Sequence, residues 1–416
     1  MNKIYSITLL FLELLPVSLY AQEQSLTEAL EKGSPYLNMR YRYEFVDQKG
    51  LDNANASTLR TVLGYKSGEF HNTDAVLEVE NITEIGERRY NDTVNGRSNY
   101  AKVADPKTTE INQAYINWKA PFKTNFKLGR QEMGINSQRF IGISPWRQNH
   151  RSMDAALITN NYFKDFELSY AFIGRVNTTS GSESPVGVLD NNNINLFNVV
   201  YDGLENTKIT AYDFLMDIKD PAASSGSLSA IGSSASKTVG IRTSYSNNID
   251  DSLNIAANLE YARQSSFGSS STNYDVDYIL IEPSVKYKNL KFLTAYEELG
   301  SDGYKSLIIT LGNKHGFNGF VDKFATVPVN GLKDFYSTIE YKVKSDNKYL
   351  NDLDAIFSFH NFYSDKKSMH YGKEYDLFIT KEFAKHYNIG LKAAYYKADE
   401  FDVDTAKVML VSGLQF

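Results

Sequence analysis

Arginine is concentrated in the first part of this chain, where eleven of the thirteen arginines precede residue 176. A guanidinium group is planar and permanently charged, so it can hold a carboxylate through two parallel hydrogen bonds. A series of such groups, each binding with moderate strength, attracts anions and still releases them. Seven arginines are therefore candidates for an anion pathway: Arg40, Arg42, Arg60, Arg130, Arg139, Arg147 and Arg151.

The same region also carries carboxylates that could neutralise these arginines. Glu44, Glu78 and Glu80 lie in the same segments, and opposite charges on neighbouring strands stabilise a sheet. Arg139, Arg147 and Arg151 fall in a long polar stretch that could fold inward as a constriction. Each arginine could therefore either form a structural ion pair with a carboxylate or line an anion pathway, and both alternatives stay open.

Evidence for catalysis is thin. Ser358 and His360 are two residues apart on one strand face, which a hydrolase could use as nucleophile and base. Polar residues on such a face more often only contact water. The six histidines lack the spacing of a helical zinc motif, and cysteine is absent. We predict no catalytic residue, no cofactor and no metal site, although a loosely held calcium ion among external carboxylates stays open.

The first residues are typical of a secretory signal peptide. Lys3 precedes an apolar run from Ile4 to Leu19, and Ala21 is suited to cleavage, so residues 1–21 are predicted to be removed. Residues 22–35 would then form a short periplasmic segment. Within it, Ser25 and Glu28 have capping-box spacing, which predicts a brief helix before the first strand.

Alternation of apolar and polar residues recurs along the rest of the chain. In the first such segment Leu37, Met39 and Tyr41 share one face, while Arg40 and Arg42 share the other. Segments of about ten residues fit a tilted membrane crossing better than the five- or six-residue strands of a soluble sandwich. No later run approaches the roughly 18 apolar residues that a membrane helix needs, and the mean hydropathy is −0.40.

The connections between these segments alternate between short turns and long polar loops. This alternation predicts an all-β fold over residues 36–416: a transmembrane antiparallel β-barrel of about 18 strands, with short periplasmic turns and long extracellular loops. The stretch from Leu299 to Lys333 is hard to assign and leaves the count open by two. The 29 tyrosines suit the two membrane interfaces.

The barrel prediction also has consequences for partners. Outer-membrane lipid would surround the wall, and the final strand ends on Phe416, which resembles the signal that barrel-assembly machinery recognises. The net charge of −6 argues against nucleic acid as a partner, because phosphate binding needs a basic surface. The sequence does not decide the oligomeric state.

Several segments resemble the alginate-export-type porin family, and the likeness covers nearly all of the chain after residue 21. The resemblance implies an outer-membrane barrel of 18 strands in a Gram-negative bacterium, with an arginine-rich lumen that admits anionic polysaccharide, alginate in the type case. The segments that carry it are Leu37-Asn38-Met39-Arg40-Tyr41-Arg42-Tyr43-Glu44, Leu128-Gly129-Arg130-Gln131, Gln138-Arg139-Phe140-Ile141-Gly142, Trp146-Arg147-Gln148-Asn149 with Asp154-Ala155, Gly316-Phe317-Asn318-Gly319 with Asp322-Lys323-Phe324, Asn330-Gly331-Leu332, and Tyr371-Gly372-Lys373-Glu374.

The expected function is passive diffusion of anionic oligo- or polysaccharides through an arginine-lined lumen. Electrostatic focusing in a low-dielectric wall would supply the selectivity. Two alternatives remain: a general diffusion pore in which the arginines are structural, and a barrel enzyme of the hydrolase class. The transported molecule and the direction of transport are left open.

Overall fold

The computed structural model describes residues 25–218 and 234–416, so the predicted signal peptide lies outside the described residues. Helix α1 (Leu26–Glu31) begins after Ser25, whose side chain accepts a hydrogen bond from the backbone N–H of Glu28 at 3.0 Å. The brief capped helix predicted before the first strand is therefore confirmed. Across the two described ranges, no helix is long and apolar enough to cross a membrane.

Strands account for most of the described residues. The first ten are β1 (Ser34–Gln48), β2 (Ala54–Lys66), β3 (Thr73–Glu84), β4 (Thr108–Ala120), β5 (Thr124–Gln131), β6 (Ser152–Asn160), β7 (Phe166–Asn177), β8 (Val188–Leu189), β9 (Asn193–Leu204) and β10 (Thr207–Asp217). The others are β11 (Ser236–Asn248), β12 (Leu253–Ser266), β13 (Asp275–Tyr287), β14 (Leu290–Leu299), β15 (Leu332–Lys342), β16 (Asp354–Tyr363), β17 (His370–Phe383), β18 (Tyr387–Ala398) and β19 (Thr405–Gln415).

These strands form a closed antiparallel barrel. Apart from β8, each strand pairs with its neighbours along the chain, with β7 pairing directly with β9. Strand β1 completes the ring by pairing with β19, so that Arg40 lies opposite Arg60 on one side and Gly413 on the other. Strand β8 has two residues and pairs with β7 inside a loop. The other eighteen strands build the wall, which confirms the predicted fold class. The stretch between Leu299 and Lys333 adds no strand to the wall.

The two faces of the wall follow the alternation in the sequence. Along β2 buried and more exposed residues alternate, with Arg60 inside and Leu63 outside, 62% exposed. An apolar outer face is stable because lipid covers it. Aromatic rings cluster near one edge of this face, where Phe122 contacts Tyr162 at 5.5 Å and Tyr162 contacts Phe163 at 5.6 Å between ring centroids. Such aromatic girdles mark a membrane interface.

The two ends of the barrel differ in their connections. The turn end is the end at which β1 begins and β19 ends, and it carries turns as short as 205–206 and 288–289. The loop end carries long connections, including 85–107, 132–151 and 300–331. By the usual asymmetry of outer-membrane barrels, the turn end faces the periplasm.

Two loops fold back into the barrel and give it an apolar core near the loop end. Phe140 and Leu311, from different loops, belong to one buried cluster with the wall residues Ile173, Phe214 and Tyr278. Here the inward face of the wall is apolar as well, because the loops supply a partner for it. The simple expectation of a polar, water-lined interior is thus wrong for this part of the wall.

Candidate functional site

The lumen loops are the connections 132–151 and 300–331, and they bind each other. The backbone N–H of Gly142 donates to Leu311 O at 2.8 Å, and that of Ser144 donates to Asn313 Oδ1 at 2.7 Å. A Cβ at Gly312 would lie 2.0 Å from the carbonyl oxygen of Arg139, so only glycine permits this approach. The two loops therefore behave as one body inside the barrel.

Arg40 and Gln148 attach loop 132–151 to the first strands of the wall. Arg40 Nε donates to Gln148 Oε1 at 2.9 Å and its Nη1 donates to Pro145 O at 2.6 Å. Gln148 Nε2 in turn donates to Thr58 Oγ1 at 2.9 Å. Arg40 lies inside the barrel as predicted, and its donors hold the loop.

Arg42 and Arg60 also lie inside the barrel, each beside a carboxylate. Arg42 is 1% exposed, forms an ion pair with Asp105, and has its guanidinium carbon 4.9 Å from the ring centre of Trp146. Arg60 Nε donates to Glu80 Oε2 at 2.5 Å. Because a buried charge needs a partner, these carboxylates stabilise the two arginines in the wall.

Arg139 and Arg147 cross from one lumen loop to other elements. Arg139 lies 2.8 Å from Glu297 of β14 and donates to Asn318 Oδ1 at 2.6 Å. Arg147 Nη2 donates to Asp322 Oδ2 at 2.8 Å. Two of the three arginines of the predicted constriction, Arg139 and Arg147, are therefore neutralised by carboxylates.

Arg151 binds backbone carbonyl groups. Its Nη1 donates to Gly142 O at 2.6 Å and also to Leu311 O, one oxygen from each lumen loop. Burial lowers the pKa of Arg151 to about 10, which keeps the guanidinium charged at neutral pH. Arg151 is thus a connector between the two lumen loops.

Asp322 is the point at which the lumen loops meet the last strands of the wall. One of its oxygens lies 3.0 Å from Lys407 Nζ of β19, and the other lies 3.0 Å from His315 Nδ1. Burial by itself would raise the pKa of Asp322, but the neighbouring cations, Lys407 first, bring it well below its usual value. Asp322 therefore stays ionised and holds Arg147, Lys407 and His315 together.

Lys392 of β18 supports the same junction through aromatic rings. Its ammonium lies 3.9 Å from the ring centres of both Trp146 and Phe320, and 3.0 Å from His315 Nε2. The rings of Trp146 and His315 stack at 4.5 Å. Each lumen loop thus contributes an aromatic face to one wall lysine, which cation–π attraction stabilises.

Arg130 is the exception among the seven arginines, and its predicted place in the lumen is corrected by the strand register. Gln131, the next residue, is fully buried inside, while Leu128, two residues earlier, is 56% exposed on the outer face. Arg130 shares the outer face with Leu128 and donates to Asp154 Oδ1 at 2.6 Å. It lies near the loop end, where the outer face meets the lipid headgroups, so a charge is tolerated there.

Two loop lysines that sequence reasoning missed differ from these arginines. Lys102 and Lys314 form no ion pair within 4 Å in the part of the chain that the structure describes. Burial first, together with the nearby charges of Arg151 and Lys102, lowers the pKa of Lys314 to about 8. Lysines in irregular loops follow no alternation and belong to no motif. Their position beside other cations can therefore be recognised only in the folded structure.

Ser358 and His360 line a cavity of about 100 Å³ beneath loop 300–331. His360 Nδ1 lies 2.9 Å from Asp334 Oδ2, as in a hydrolase, but Ser358 Oγ is hydrogen-bonded to Thr338 Oγ1 at 2.8 Å. Nothing in the described ranges links Ser358 to His360 by a hydrogen bond. Within those same ranges, no group of three or more histidine, aspartate and glutamate side chains is placed to hold a metal ion.

The family model described as alginate export matches residues 34–263, more than half of the chain. The chain belongs to the alginate export family. It is an outer-membrane channel of the porin type, and the family and fold place it in the Gram-negative outer membrane. This confirms the family suggested by the sequence segments above. No curated protein sequence matches the chain.

Solved structures similar to this alginate export family member are porins. Pseudomonas aeruginosa OpdK, solved with vanillate, has a TM-score of 0.72 at 11% identity, covering 93% of this chain and 99% of that one. Acinetobacter baumannii OccAB4 has a TM-score of 0.72 at 11% identity, covering 92% and 98%. Pseudomonas aeruginosa OccD3 (OpdP) has a TM-score of 0.67 at 14% identity, covering 93% and 92%. At these identities the likeness concerns the fold.

Proposed function

We propose that this channel carries anionic oligo- or polysaccharides by passive diffusion, and that Lys102 and Lys314 attract them. The observation that carries the proposal is that these two loop cations lack a carboxylate partner in the described residues. In a narrow, low-dielectric passage, unpaired charges of one sign concentrate the opposite ion. Family membership supports a uronate polymer such as alginate as the solute.

The predicted arginines have a different part in this proposal. Six of them fix the lumen loops and the wall, and they shape the constriction without offering a free charge to the solute. A lysine ammonium is a compact point charge with rotatable donors, so it tolerates carboxylates in many orientations. Successive uronates could therefore bind Lys102 and Lys314 with moderate strength and leave again, as conduction requires.

The proposal is tested by block of chloride current with uronate oligomers in planar bilayers. In the double variant Lys102→Gln, Lys314→Gln, we expect the half-blocking concentration to rise about tenfold, which corresponds to about 1.4 kcal/mol. The matched control, Lys164→Gln with Lys288→Gln, removes two charges at the turn end and should leave block unchanged. A neutral oligosaccharide of the same length should block all three proteins equally weakly.

A general diffusion pore is the second candidate. The pairing of all seven predicted arginines favours it, because their charges are already neutralised or bound by carbonyl oxygens. This candidate predicts equal block by neutral and uronate oligomers, and no effect of the lysine substitutions. That outcome would contradict the proposed anion-selective channel and support a general diffusion pore.

A further inference from the structure

A groove opens on the outer face of the barrel, away from the lumen. It lies at the loop end of β15 and β16, has a volume of about 610 Å³, and is lined by Lys333, Phe335, Asn361, Tyr363, Ser364 and Ser368. Phe335 is 48% exposed and belongs to the lipid-facing set. The groove therefore begins in the apolar band and ends among polar side chains.

The aromatic part of the groove is ordered by contacts within the wall. The rings of Phe335 and Tyr363 meet edge to face at 6.1 Å between centroids. Asn361 Nδ2 donates to Tyr363 Oη at 3.0 Å, and Asn361 Oδ1 lies 2.8 Å from His370 Nε2. The side chains that a ligand would meet are thus already held in place, which reduces the entropy cost of binding.

Lysines and carboxylates both lie around the polar part of the groove, and two carboxylates contact His370: Asp399 at 2.8 Å from its Nδ1, and Glu400, which accepts from its backbone N–H at 2.7 Å. Asp365 is shared by Lys333 at 3.0 Å and Lys366 at 3.1 Å. Lys367 on the same loop and Lys373, which lies beside Asn361 on β17, are exposed. Neither of them has an ion pair in the ranges that the structure describes. The acidic neighbour Glu298 accepts a hydrogen bond from Tyr296.

Several outward cations elsewhere at the loop end lie beside a carboxylate. Arg130 has Asp154 at 2.6 Å, Arg263 has Asp275 at 2.5 Å, and Lys397 has Asp404 at 2.7 Å. Lys367 and Lys373, by contrast, have no carboxylate within 4 Å in the described ranges and can meet a ligand at the groove. Two exposed lysines without an ion pair at the headgroup level, directly above an apolar floor, suit a lipid that carries several negative charges.

We propose that this groove binds the phosphorylated glycolipid of the outer leaflet. The phosphates contact Lys367 and Lys373, the sugar hydroxyl groups bind Asn361 and the serines, and an acyl chain lies against Phe335. The loop end faces the cell exterior by the asymmetry of the connections, so the outer leaflet is the leaflet that meets the groove. This site is separate from the lumen and does not depend on what the channel carries.

Native mass spectrometry of the full chain in detergent tests the proposal. The lipid is an acylated glucosamine disaccharide with two phosphates, compared with its dephosphorylated form. We expect the phosphorylated lipid to bind at least tenfold more tightly, and the double variant Lys367→Gln, Lys373→Gln to lose that advantage. Heat-dependent gel mobility verifies that each variant is folded.

Three controls make the result decisive. Lys164→Gln with Lys288→Gln should bind the glycolipid like the wild type, and so should Lys102→Gln with Lys314→Gln. The Lys367→Gln, Lys373→Gln variant should keep the uronate block of the wild type. Equal affinity of the wild type and that variant overturns the proposal, as does equal binding of phosphatidylglycerol or displacement of the glycolipid by millimolar inorganic phosphate.

Discussion

The positive charges of the arginine-rich wall of β1–β3 and those of the loop lysines Lys102 and Lys314 have different surroundings. Arg42 and Arg60 are buried and lie against Asp105 and Glu80. Lys314, by contrast, is partly exposed and has cations among its nearest charged neighbours. The density of charge in a sequence therefore does not identify the charge that is available to a solute.

The chemistry of the two side chains explains the difference. Guanidinium presents five donors in a plane and can satisfy several oxygens at once, so it suits a buried network. Arg40, for example, binds Gln148 and two backbone carbonyl groups of loop 132–151. A lysine ammonium is a compact, strongly hydrated point charge, and below its pKa it offers that charge to the solvent side.

Replacing Asp322 should have the largest effect. Asp322→Asn leaves Arg147 and Lys407 without their shared carboxylate, and breaking a buried ion pair in this way costs about 3–5 kcal/mol. We expect a matching loss in the free energy of unfolding, measured by urea titration in detergent. Asp275→Asn, which removes the exposed partner of Arg263, should leave the transition unchanged. Similar losses for both variants would contradict the distinction between buried and exposed pairs.

Gly312→Ala should destabilise the contact between the lumen loops. Its Cβ would lie 2.0 Å from the carbonyl oxygen of Arg139, so the backbone must shift, at a cost of about 1–3 kcal/mol. We expect noisier single-channel current as the loops separate. Gly316→Ala on the same loop is the control, because nothing lies within 4 Å of its added Cβ. Equal current noise in both variants would argue against loop docking.

Anion preference should fall as pH rises through the pKa of Lys314, which is about 8. Below this pH the ammonium is charged and attracts anions, whereas above it the neutral amine does not. We expect reversal potentials to shift toward cation preference between about pH 7 and pH 9. Lys314→Gln should remove this step. A step of the same size in the variant would assign the titration to another group.

Ser358→Ala should have the smallest effect. Because Ser358 is hydrogen-bonded to Thr338 and not to His360, its hydroxyl has no base to activate it. We expect no change in conductance or in the rate of hydrolysis of ester and glycoside substrates by the purified protein. Loss of a hydrolytic activity present in the wild type would revive the enzyme alternative.

The sequence predicted the barrel well because a membrane wall imposes one simple rule on every strand. Side chains along each strand alternate between the lipid and the interior. The faces of Leu37 and Arg40 can therefore be predicted from the local alternation alone, without any contact to a distant residue. The helix after Ser25 was equally predictable, since its cap is local. The strand count was predicted near eighteen for the same reason.

Contacts between distant loops were not predictable in this way. The docking of Gly142 on Leu311, and of Arg147 on Asp322, joins residues about 170 positions apart that follow no repeating pattern. The position of Arg130, by contrast, was predictable from the sequence. The alternation of side chains from Leu128 places Arg130 on the outer face. The prediction that Arg130 lines the lumen relied on its charge. Charged side chains are also stable on the outer face where that face meets the lipid headgroups.

The reversal potential in a potassium chloride gradient shows whether Lys102 and Lys314 make the channel prefer anions. We predict anion preference for the wild type, loss of most of it in Lys102→Gln, Lys314→Gln, and no change in Arg130→Gln or in Lys164→Gln with Lys288→Gln. Cation preference in the wild type, or anion preference that survives removal of both loop lysines, would contradict the claim that these two side chains supply the charge that selects the solute.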